Sequence, residues 1–96
     1  MEFEWDPAKA EANLGKHGLS FAEATELLAG DGDYLEIYDD TQDGEDRFIA
    51  IGPIRRGVIV VVFAEREDDI VRIISAREAT RREAQLFRDH EASRHE

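Results

Sequence analysis

The sequence predicts an α+β fold: an antiparallel sheet of about four strands, with two N-terminal helices and one C-terminal helix on one face. Three observations lead there. Val58-Ile59-Val60-Val61-Val62-Phe63 is an unbroken apolar, β-branched and aromatic run, too short for a typical helix and suited to a strand buried on both faces. Phe48-Ile49-Ala50-Ile51 and Ile70-Val71-Arg72-Ile73-Ile74 flank it through short polar connectors, which favour hairpins over crossovers. Helix-start signals occur only before and after this block.

In chain order, Glu2-Phe3-Glu4-Trp5 alternates polar and apolar, as a short edge strand does. Asp6-Pro7 supplies an N-cap and a first-turn proline, so a helix runs from Pro7 to His17 and stops at Gly18. Ser20-x-x-Glu23 is a capping box opening a second helix whose stripe is Phe21, Ala24 and Leu28. Gly30 ends it, and Asp31-Gly32-Asp33 reads as a turn. Tyr34-Leu35-Glu36-Ile37-Tyr38 is a further strand. The acidic loop at residues 39–46 leads into the central sheet. Ser75-x-x-Glu78 and Thr80-x-x-Glu83 both fit capping boxes; Thr80 is preferred because the strand pattern persists to Ser75. Ala84, Phe87 and Glu91 share one face of the last helix, and residues 92–96 are expected to fray.

Ninety-six residues make a single domain, 1–96, with room for one modest core. The chain has no cysteine, so disulfides and thiolate metal sites are excluded. The beginning MEFEWDPAKA lacks the features of a signal peptide, and no apolar run approaches membrane-spanning length. The expected setting is the cytoplasm, with no membrane partner. The net charge is −11, unevenly spread. Residues 1–46 hold two lysines, no arginine and 14 acidic residues, a net of −12, whereas residues 47–96 hold ten arginines and nine acidic residues, a net of +1. A local basic site on an acidic body is allowed; a broad phosphate-tracking surface is not.

Candidate chemistry follows the arginines and one Lys-His pair. His17 can move protons near neutrality and Lys16 can bind phosphate, while the plainer account is two cations complementing a helix C-terminus. Glu65 could be a general base and Arg66 a stabiliser of phosphorane-like charge, against a solubilising hairpin cap. Arg72 interrupts an apolar strand. Arg77, Arg81 and Arg82 surround the start of the last helix, where amides and guanidinium groups both favour an anion. The acidic loop fails calcium spacing, with Thr41 at the third position and Ala50 where a bidentate Glu belongs. His90 and His95 are too few for zinc. No metal and no cofactor is expected.

Three segments carry a resemblance. F-E-W-D-P-x-K-A-x-x-N-x-x-K-H-G at residues 3–18, R-F-I-A-I-G at 47–52, and R-I-I-S-A-R-x-A-T-R-R-E at 72–83 resemble the BrnT toxins. The resemblance implies a RelE-like α+β fold and a metal-independent ribonuclease toxin of a type II toxin–antitoxin system. It implies a BrnA-like antitoxin partner with a ribbon-helix-helix DNA-binding region, and leaves a homodimer or a heterotetramer open. It places His17, Glu65, Arg66, Arg81 and Arg82 as candidate catalytic residues. Lys16, Arg72 and Arg77 become candidate binders of RNA phosphate. The chain departs from the family pattern at Thr41-Gln42-Asp43, where a histidine is frequent, and at Glu78, where lysine is. The competing class is a non-catalytic binding module that acts only in complex with a DNA-binding regulator, a reading that the acidic first half favours.

Overall fold

The structure is a computed structural model that describes residues 1–30, 32–40 and 45–94. The Asp31 turn position, the departure at Thr41-Gln42-Asp43 and His95 therefore lie outside the described residues. Five strands and three helices follow in the order β1 (Glu2–Glu4), α1 (Pro7–His17), α2 (Phe21–Ala29), β2 (Leu35–Asp39), β3 (Arg47–Ile54), β4 (Gly57–Arg66), β5 (Ile70–Glu78) and α3 (Arg81–Arg94). The strands form one sheet in the order β1-β5-β4-β3-β2, so the apolar run lies in the middle strand, as its composition requires.

Two expectations are corrected. The sheet has five strands and is mixed rather than antiparallel: β1 lies parallel to β5, with Glu2, Phe3 and Glu4 opposite Ile70, Val71 and Arg72. A three-residue strand carries no signal for its partner, and a parallel neighbour needs a long crossover that hairpin logic cannot reach. The helices also cover both faces, not one. Ile59, Val61 and Phe63 pack with Leu19, Phe21, Ala24, Leu27 and Leu28 of the α1–α2 layer. Val60, with Ile51 from the neighbouring strand, packs against Phe87 of α3 on the other face. Side chains alternate along a strand, so a run apolar at every position needs cover on both sides.

The helix ends are built as their residues dictate. The Asp6 side chain accepts from the Ala8 amide at 2.9 Å, and Gly18 closes α1 at φ 68°, a left-handed conformation suited to glycine. Ser20 and Glu23 form the complete capping box of α2. Thr80 and Glu83 do the same for α3, with the Thr80 amide donating to Glu83 at 2.9 Å and the Glu83 amide to Thr80 Oγ1 at 3.1 Å. Ser75 caps nothing, because β5 continues to Glu78. The chain at 92–94, expected to fray, is still helical, and Arg94 pairs with Asp33 at 2.8 Å.

A β-bulge matters for the site. Val62 lies opposite Ser75 but Phe63 lies opposite Ile73, leaving Ile74 as the extra residue. Arg72 and Arg77 are five positions apart and would face opposite sides of a regular strand. The bulge resets the phase, so Arg72 opposite Ala64 and Arg77 opposite Val60 share the α3 face.

Candidate functional site

Strand direction divides the candidate residues between two ends of the sheet. The β3–β4 turn, the end of β5, the start of α3 and the end of α1 gather at one end. Arg56 in that turn ties them together: its Nη1 donates to the Gly18 carbonyl at 2.8 Å and to Glu23 at 3.0 Å. Lys16, His17, Arg77, Arg81 and Arg82 belong to this end. Glu65 and Arg66, the last two residues of β4, lie at the other. Six residues separate Ile59 from Glu65, about 20 Å of strand. The set of catalytic candidates therefore does not converge on one phosphate, and Glu65 is not a neighbour of Arg81 and Arg82. Spacing along one strand hid this, because the sequence does not say which end of β4 the helices approach.

Lys16 is exposed and His17 half-buried at the last turn of α1. Their position is set by Asn13, the one buried polar residue among those described. Its Nδ2 donates to the Leu19 carbonyl at 3.0 Å and to the Ala76 carbonyl at 2.8 Å, and its Oδ1 accepts from the Ala76 amide at 3.2 Å. The cause is the shortness of β1, which pairs with β5 only as far as Arg72. Beyond it the edge of β5 has unpaired backbone groups, and the Asn13 amide stands in for the missing strand. Asn13 thereby fixes the second half of α1 against β5 at Ala76. Asn13 was not among the candidates read from the sequence; its signals were an Asn in a helix body and its place in the motif at residues 3–18.

Three of the candidate arginines are already held by carboxylates. Arg77 makes a two-pronged pair with Glu83 at 2.7 and 2.8 Å. That hydrogen bond, followed by those from Thr80, pulls the Glu83 carboxyl down to about 2 despite its partial burial. The Arg77 guanidinium is held correspondingly more firmly in its charged form. The cradle expected for a foreign anion at the α3 start is thus occupied in part by the protein's own Glu83. Arg72 pairs with Glu4 at 3.2 Å and Arg66 with Glu45 at 3.0 Å. A shallow depression at the Arg66 end is lined by Glu4, Glu65, Arg66, Glu67 and Ile70. Three carboxylates against one guanidinium make it a poor seat for phosphate. Arg81 and Arg82 differ: both are exposed in the first turn of α3, and neither forms a salt bridge with a described residue.

Among the described residues no group of three or more His, Cys, Asp or Glu side chains is arranged to hold a metal. No helix among them is long and apolar enough to cross a membrane.

Comparison with known proteins identifies the family. The family model described as "Ribonuclease toxin, BrnT, of type II toxin-antitoxin system" matches residues 5–83. The crystal structure of the Brucella abortus ribonuclease toxin BrnT superposes with a TM-score of 0.63 at 30% sequence identity, covering 84% of this chain and 99% of that one. No curated protein sequence matches. With the family pattern running through α1, the central sheet and the start of α3, the chain belongs to the BrnT family of ribonuclease toxins of type II toxin–antitoxin systems.

Proposed function

We propose that the protein is a cytoplasmic, metal-independent endoribonuclease of RelE-like chemistry, with its phosphate site at the sheet end formed by Lys16, His17, Arg81 and Arg82. The observation that carries this reading is the contrast among the arginines. Arg81 and Arg82 stand exposed at a helix start with no carboxylate partner among the described residues, at the same end of the sheet as a lysine and a histidine. In the reaction the RNA 2′-oxygen attacks the adjacent phosphorus as its proton leaves to a base. The bond from phosphorus to the 5′-oxygen breaks, and an acid protonates that oxygen, leaving a cyclic 2′,3′-phosphate and a 5′-hydroxyl. His17 is the proton-transfer group at this end, Arg81 and Arg82 stabilise the developing charge, and Lys16 and Arg77 hold neighbouring phosphate oxygens. Glu65 and Arg66, the other proton and phosphate candidates, lie at the opposite end, where three carboxylates outnumber one guanidinium, and are set aside. The partner is a BrnA-like antitoxin with a ribbon-helix-helix region, covering the arginine end.

The test is cleavage of RNA by the purified protein with and without EDTA, beside His17→Ala, Arg81→Ala and Arg82→Ala. Cleavage should survive EDTA and fall by about 10²–10³ in each variant, the usual loss for one transition-state donor. Melting temperatures of the arginine variants should barely move. EDTA-sensitive cleavage, or arginine variants as active as the parent, overturns the assignment. A second reading, a binding module without catalysis, is favoured by the net charge of −11 and by the three carboxylate-paired arginines. A parent protein that cleaves no RNA yet binds the antitoxin stably establishes that reading.

A further inference from the structure

The α3 face of the sheet can be followed in transverse rows. Arg77, Val60, Ile51 and Leu35 form one row, covered by Phe87. Ser75, Val62, Ile49 and Ile37 form the next, and Ile37 is 39% exposed. The third row spans all five strands: Glu4, Arg72, Ala64, Arg47 and Asp39. Glu4 is opposite Arg72, Arg72 opposite Ala64, and Arg47 opposite Asp39. Arg47 falls opposite Ala64 as the next step after the Phe48–Phe63 pair. This row lies about 13 Å along the strands from the row under Phe87.

We infer that Arg47 and Arg72 form a second phosphate-binding site on this face, straddling Ala64; the inference rests on the RNA-cleaving reading above for its ligand class. The two arginines sit on strands flanking β4, their Cα atoms about 10 Å apart by strand spacing. Ala64 between them is 0% exposed, so its methyl is already covered and an anion rests on the two guanidinium groups rather than on Ala64. The acids lie outside, at the two ends of the row. Glu4 takes one Nη of Arg72 at 3.2 Å, and the Arg72 side chain remains 33% exposed. A guanidinium has five N–H donors, so most of those on Arg72 are left for a ligand. On the other side Arg47 Nε is buried and has no hydrogen-bond partner among the described residues. A buried donor without a partner is costly, so the Arg47 side chain gains by swinging outward to a phosphate held beside Arg72. Two guanidinium groups facing one tetrahedral anion match phosphodiester geometry. The adjoining row of Val62, Ile49 and Ile37 offers apolar surface to a base. Arg72 alone is legible as a candidate in the sequence, because the register that sets Arg47 beside it is tertiary.

The test is binding of a fluorescent single-stranded 2′-deoxy oligonucleotide, which lacks the attacking hydroxyl, measured by anisotropy at several salt concentrations. Arg47→Ala and Arg72→Ala should each weaken binding about three- to tenfold and reduce the salt slope by about one counterion. Arg47→Lys should recover only part of the loss. Glu4→Gln should tighten binding more than Glu11→Gln, which removes the same charge from the exposed side of α1. If Arg47→Ala is folded by its melting curve and binds as the parent does, the site is overturned. It is also overturned if the parent does not bind the oligonucleotide, or if the arginine variants lose only antitoxin binding. Because this readout needs no cleavage, a parent that binds through Arg47 but cuts no RNA leaves the site standing and removes the ribonuclease reading.

Discussion

Replacing Asn13 by alanine should cost a large share of the stability of this protein. The side chain is 8% exposed and makes three hydrogen bonds to backbone, one to Leu19 and two to Ala76. Leu19 and Ala76 are both 0% exposed. Alanine removes the partner and leaves two carbonyls and one amide facing a small void. An orphaned buried group costs about 1–3 kcal/mol. Relaxation and water entry at the edge of β5 that β1 leaves uncovered lower the sum, so about 3–5 kcal/mol is expected. A domain of this size has about 5–15 kcal/mol in total. Asn13→Asp should do little better, since it keeps the acceptor for the Ala76 amide but turns a carboxylate toward two carbonyls. The assay is urea unfolding followed by circular dichroism, with amide exchange at Ala76 as the local probe. A loss below about 1 kcal/mol, or exchange at Ala76 unchanged relative to its neighbours, would refute the claim that Asn13 completes the β5 edge.

Two further outcomes are expected. Glu83 has its folded pKa lowered to about 2 from 4.5, so its pair with Arg77 stabilises the fold above pH about 4.5 and is lost as pH falls toward 2. After discounting for solvent around the 39% exposed arginine side chain, about 1–2 kcal/mol should separate the parent from Glu83→Gln at pH 7; the gap between urea midpoints should shrink as pH falls from 4.5 and close only below about 2, and a constant difference across that window contradicts the pairing. Gly52→Ala would place a Cβ 2.7 Å from Leu27 Cδ1 and 2.8 Å from Tyr34 Cβ, so it should lose about 1–3 kcal/mol by overpacking; an unchanged melting temperature would mean that α2 can withdraw from β3.

Local chemistry made much of the fold legible. Asp6-Pro7, Ser20-x-x-Glu23 and Thr80-x-x-Glu83 each begin a helix because cap residues act within one turn of themselves. The apolar run at residues 58–63 announced the central strand because no surface strand tolerates it. The same run implied cover on both faces, but Phe87 gave no sign of lying opposite α1 and α2, since an amphipathic stripe says that a helix packs and not where. Candidate site residues were legible as types. Arginine beside a helix start is a property of neighbours in sequence. Which arginines are held by acids is not: Arg72 meets Glu4 across 68 positions and Arg66 meets Glu45 across 21.

By itself the sequence determined what is local: the caps, the strand composition, the concentration of arginine after residue 46, and through its three motifs the family. Tertiary structure alone decided the pairing of β1 with β5, the bulge at Ile74 that brings Arg72 and Arg77 to one face, the role of Asn13, and the distance between His17 and Glu65. The physical reason is range. Caps and alternation are set within a few residues by backbone geometry, whereas register, edge completion and ion pairing depend on which distant segments the packed core brings side by side.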